Sequence, residues 1–71
     1  MTVHRHPIEQ ERSRRAVELA ISGGHRTRGD IVRACRSHLP INTVLIVTLA
    51  LAWLEGRGTI QHVKGVGWVK P

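Results

Sequence analysis

Residues 39–54 read LPINTVLIVTLALAWL, 16 positions without a single charged side chain. A membrane-spanning helix needs about 20 mostly apolar residues, and this run is shorter and carries Pro40 near its start. We therefore expect a helix of a small globular domain and no membrane span. Asn42 is the expected N-cap, the helix reaches about Glu55, and Gly56 and Gly58 close it. Val44, Val47, Leu51 and Leu54 make one inward stripe. The opposite arc holds Leu45, Leu49, Ala52 and Trp53, with Ile46 beside it, and only Thr48 and Glu55 are polar there after the first turn. A helix that is apolar all round is covered on both sides, so something must lie on that arc.

The segments around this helix are amphipathic. A first helix is expected over residues 8–22, entered through Pro7, whose missing N–H has no helical partner at that position, with Glu9 and Glu11 in the first turn. Ala16, Val17, Leu19, Ala20 and Ile21 share its apolar face; Gly23 and Gly24 stop it. A second helix is expected over residues 28–38, capped by Thr27, with Asp30 three positions on as a short-armed capping box. Ile31, Val32, Ala34 and Cys35 point inward there, and Gly29, Arg33 and Arg36 outward. Pro40 ends it by His38 or Leu39. Residues 59–70, TIQHVKGVGWVK, alternate Ile60, Val63, Val66, Trp68 and Val69 with polar residues around Lys64-Gly65 and read as a short hairpin. Trp68 is expected to pack back on the core. The order is α+β, three helices and a C-terminal two-stranded ribbon, in a single domain over residues 1–71 with a flexible tail at 1–6.

Composition narrows the function. A chain of 71 residues has no room for a pocket between lobes, and 11 Lys+Arg against 5 Asp+Glu give +6. That balance points to polyanions, nucleic acid first and an acidic protein face second. Trp53 and Trp68 are the only aromatic residues of the Phe, Tyr and Trp class, which argues against a base-stacking single-strand platform. The lone Cys35 cannot form an internal disulfide, and MTVHRHP is not followed by an apolar signal segment; the cytoplasm is the expected location. Cys35 and His38 stand at C-x-x-H spacing with no second pair, so no metal site is expected. No nucleophile–base order, paired carboxylates or phosphate-cradling lysine motif occurs, so neither an enzyme nor a cofactor is expected.

Thr27-Arg28-Gly29-Asp30-Ile31-Val32 opens the second helix, Pro40-Ile41-Asn42-Thr43-Val44 opens the third, and Trp53 to Ile60 hands the third helix over to the hairpin. In that order and spacing the chain resembles the winged helix-turn-helix domain of small transcriptional repressors, over about residues 8–70. The resemblance implies that the third helix lies in the major groove of duplex DNA, with Asn42 and Thr43 at base edges or phosphates. It further implies that Arg33 and Arg36 flank the groove on phosphates, while Arg57, His62 and Lys64 approach the backbone or minor groove from the wing. Arg28 belongs to the same cluster of cations as Arg26, Arg33 and Arg36.

The third helix departs from that scaffold, because its outward arc is apolar where a groove-reading helix is polar and basic. The expected function is a small regulator, repressor-like and of phage or mobile-element type, that binds duplex DNA as a homodimer. The alternative is a winged-helix scaffold acting as a protein-binding inhibitor or adaptor, with Leu45, Leu49 and Trp53 as hot spot and the arginines on an acidic partner.

Overall fold

The computed structural model describes residues 7–71, with side chains from residue 10 onward; the tail expected at residues 1–6 and the side chain of Glu9 lie outside the described set. Helices α1 (Pro7–Ser22), α2 (Arg28–Cys35) and α3 (Thr43–Gly56) are followed by strands β1 (Gln61–Val63) and β2 (Gly67–Val69). Three helices packed together and then a C-terminal antiparallel hairpin are consistent with a winged-helix-like topology.

Helix α1 starts at Pro7 and buries Ser13, Val17, Ala20 and Ile21, a stripe at i, i+4, i+7 and i+8. Leu19 was expected on that face, but it lies at the flank and is 64% exposed. Gly24 adopts φ +102°, its N–H donates to the Ile21 carbonyl, and His25 N–H donates to the Ala20 carbonyl. Those paired bonds, closed by a left-handed residue, are the Schellman arrangement. The C-terminus of α3 repeats it: Gly58 at φ +79° donates to Glu55, and Thr59 donates to Leu54.

The Asp30 N–H donates to Thr27 Oγ1 at 3.1 Å, so α2 is capped as expected, and Ile31, Val32 and Cys35 are buried. Ala34 is only half-buried. The helix ends at Cys35, three residues short of the expected His38. The Cys35 carbonyl accepts both His38 N–H and Leu39 N–H, a tightened turn that swings Leu39 into the core ahead of Pro40.

Asn42 does precede α3, but its side chain makes no cap hydrogen bond and its backbone is left-handed at φ 54°. The turn is held instead by Thr43, whose buried hydroxyl donates to the Leu39 carbonyl. Thr43 starts the inward stripe, continued by Val47, Ala50, Leu51 and Leu54. Val44, expected inward, is therefore rotated outward and exposed. Ile60, just after α3, seals the core beside Leu54.

The hairpin pairs Gln61 with Val69, His62 with Trp68 and Val63 with Gly67. Val66 N–H donates to the Val63 carbonyl across a tip where Gly65 takes φ +83°, and this leaves Val66 exposed rather than inward. Trp68 packs against the core, as expected. Its N–H donates to the Arg26 carbonyl at 2.7 Å, and Arg26 Nη1 donates to the Ile21 carbonyl at 2.8 Å, so one residue joins the end of α1 to the wing. No helix among the described residues is long and apolar enough to cross a membrane.

Candidate nucleic-acid and protein interfaces

Two surfaces of different chemistry stand on this frame. The first is cationic and is built from α2 and the wing. Burying Ile31, Val32 and Cys35 leaves Arg33 on the solvent side of α2, with Arg28 at its first position and Arg36 exposed at its C-cap. None of these three arginines has an ion-pair partner among the described residues, where the one salt bridge joins Lys70 to Glu18 at 3.9 Å. The start of α2 faces the wing across a groove lined by Thr27, Arg28, His62, Gly65 and Trp68. The His62 ring meets Trp68 edge-on, with centroids 4.8 Å apart, which orients the imidazole on the outer side of the ribbon. Lys64 is exposed at the tip. The α2 N-terminus adds its own partial positive charge to this groove.

Not every expected cation belongs to it. Arg26 lines the same groove, but its guanidinium is engaged with the Ile21 and Trp68 carbonyls and serves the fold. Arg57 was expected to act with the wing; its guanidinium lies over the Trp53 ring, 4.7 Å from the centroid. Thr43 is withdrawn from the surface altogether, because it is buried and its hydroxyl is bonded to Leu39. Asn42 is exposed, in a groove with Arg36, Val44, Leu45 and Thr48. An open cleft between α1 and α2 places Arg12 and Arg15 around Leu19 and Ala34, so positive charge continues beyond α2.

The second surface is the outer face of α3. Val44, Leu45, Leu49, Ala52 and Trp53 are all exposed, and Ile41 just before the helix is 73% exposed. Leu45 and Leu49 keep 55% and 47% of their surface in solvent. Trp53 is partly covered by Arg14, whose guanidinium carbon stands 3.4 Å from the ring centroid. Arg14 carried no signal in the sequence, since the partner lies 39 positions away on another helix. The contact is a cation–π pair, with Arg57 as a second cation on the same indole.

No group of metal-ligating side chains is assembled among the described residues. Cys35 is a core residue, and burial pushes its thiol pKa up. Comparison with protein families, with curated proteins and with solved structures finds no match for this chain.

Proposed function

We propose that this protein is a small basic regulator, repressor-like in action, that holds duplex DNA through phosphate contacts from α2 and the wing. The observation that carries this reading is the set of exposed, unneutralised cations Arg28, Arg33 and Arg36, with Lys64 at the wing tip. Such groups release condensed counterions from a duplex and give affinity with little sequence preference. Asn42 remains as one side chain able to reach a base edge, and the apolar outer face of α3 offers no further hydrogen-bonding code. The expected behaviour is therefore occupancy of DNA with modest specificity.

The test is fluorescence anisotropy of a labelled random duplex over a range of salt concentrations. Neutralising about four phosphates predicts a slope of roughly −3.6 in log affinity against log salt. Replacing Arg33 and Arg36 together by Ala should make that slope shallower by about 1.8 and leave the helical signal intact. Absence of binding at low salt rejects the reading.

A second reading is favoured by the outer face of α3, which has the apolar, aromatic-anchored character of a protein hot spot. Here the chain is an inhibitor or adaptor, and its arginines engage an acidic partner. It predicts no duplex binding at low salt and a protein complex abolished by Leu49→Glu.

A further inference from the structure

We propose that the outer face of α3 is the seam of a two-fold homodimer, with a second copy of this chain laid antiparallel across it. The inference rests on the shape and charge of α3 and is independent of the nucleic-acid reading.

The side chains of the outer face fall into two neighbouring rows with a spacing of four. Leu45, Leu49 and Trp53 form a high ridge, while Val44, Thr48 and Ala52 form a lower row beside it. Rows at this spacing interdigitate in the commonest class of helix packing. A ridge lying next to its own shallow row is self-complementary: a dyad sets the ridge of each copy into the low row of the other. The Thr48 hydroxyl donates to the Val44 carbonyl at 2.7 Å, so its hydrogen already has a partner and needs none from water when the seam closes.

Charge selects both the partner and the direction. Residues 42–54 carry no charged side chain, and the cations that do reach this face, Arg14 and Arg57, gather over Trp53 toward one end of the helix, so an antiparallel pair of +6 chains keeps them apart and away from the centre of the seam. The first turn of α3 has no acidic residue and no side-chain cap, and its last turn has no basic residue. The N-terminus of α3 thus lacks its usual counter-charge, while the cation nearest its C-terminus, the C-cap Arg57, has its guanidinium over Trp53. In the antiparallel order, Glu55 of each copy comes to the end where the other presents the α3 N-terminus and Arg36. A parallel order would place the two Glu55 carboxylates side by side.

The exposed apolar side chains from Ile41 to Trp53 offer on the order of 500 Å² per copy, at the upper end of the largest patch on ordinary monomers and below the ~800 Å² per partner of a standard interface. The expected association is therefore a reversible monomer–dimer equilibrium rather than an obligate dimer.

Sedimentation equilibrium of the full chain tests this. A monomer–dimer equilibrium is expected, weakened at least about tenfold by Leu49→Glu, since burying the exposed half of Leu49 in each of the two copies is together worth about 1.4 kcal/mol or more. Circular dichroism of that variant should match the parent, because Leu49 is half-exposed and lies outside the buried core cluster. Glu55→Arg should also weaken the dimer, and Arg36→Glu added to it should restore association. Leu49→Cys should form a disulfide-linked dimer across the dyad, whereas Leu19→Cys on α1 should not; buried Cys35 makes the parent an unreactive control. A chain that stays monomeric throughout, or equal cross-linking through Leu19→Cys, overturns the seam. A dimer indifferent to Glu55→Arg overturns the antiparallel order. Loss of duplex binding with the dimer intact rejects the function proposed above and leaves the seam standing.

Discussion

The Arg26 carbonyl accepts the Trp68 N–H at 2.7 Å, and the residue before Trp68 is a glycine at φ +112°. A Cβ at Gly67 would run into that same carbonyl. The wing is thus held to the helices through a backbone approach that only glycine permits.

Gly67→Ala should accordingly destabilise the fold by about 2–4 kcal/mol, combining steric conflict with a left-handed backbone. Gly65→Ala is the control. Gly65 takes φ +83° with open space around it, so its cost should be the backbone penalty alone, about 1–2 kcal/mol. Urea denaturation of both variants measures the difference, and equal losses would mean that the Arg26 approach does not constrain the wing.

Asn42 occupies a left-handed conformation without capping α3 through its side chain. Asn42→Gly should therefore be neutral or stabilise the fold by up to about 1 kcal/mol, while Asn42→Ala should cost about 1 kcal/mol. A side-chain cap would instead make both substitutions unfavourable, Ala by about 1 kcal/mol and Gly by a few tenths. Thermal melts of the pair distinguish the two. Thr43→Val should be the more harmful change at this turn, at roughly 1–3 kcal/mol, because it leaves the buried Leu39 carbonyl without the hydroxyl it accepts.

Arg14→Ala should remove the closer of two cations from the Trp53 ring. In a Trp68→Phe background, where Trp53 alone reports, the emission should shift to the red as the indole gains water. The stability cost should be small, about 0.5–1 kcal/mol at this exposed site. An unchanged spectrum would remove Arg14 from the indole.

Cys35 gives a pH dependence with a definite sign. Burial raises the thiol pKa above its ordinary value of 9.0, so the folded chain holds the proton where the unfolded chain releases it. This contribution to stability is present in full below about pH 9.0 and is lost as pH rises toward the folded value. Stability should fall in the alkaline range, and Cys35→Ala should flatten that fall while lowering stability at neutral pH. A thiol-specific disulfide reagent should react with Cys35 only as fast as the chain opens.

Much of this fold is written in local chemistry. Thr27 before Arg28, glycines after each long apolar segment, and the hairpin signal around Lys64-Gly65 each act within a few residues, and the structure follows them, although Val66 at the tip leaves the expected alternation. The departures came from non-local contacts. Leu19 and Val44 satisfy a helical wheel by themselves, yet the packing of α1 and α3 chooses stripes led by Ser13 and Thr43, which no periodicity of apolar residues reveals. The cations divided for the same reason. Arg28, Arg33 and Arg36 are exposed because their own helix turns its apolar side inward. Arg26 and Arg57 are diverted by partners on other elements, the Ile21 and Trp68 carbonyls and the Trp53 ring. The apolar outer face of α3 could be read from composition alone, since no rotation of that helix buries every large side chain.

The tip of the wing closes on itself, through the Val66 N–H to the Val63 carbonyl and the left-handed backbone of Gly65, and Lys64, Gly65 and Val66 are all exposed. Its length is therefore uncoupled from the core. Residues inserted between Lys64 and Val66 add only a loop-closure entropy that grows by about 0.6 kcal/mol per doubling of length, whereas the same insertion at Arg26 would unpick α1 and β2 together. The wing is a place where this small chain can acquire a new recognition element, an epitope or a fluorophore, without refolding the rest.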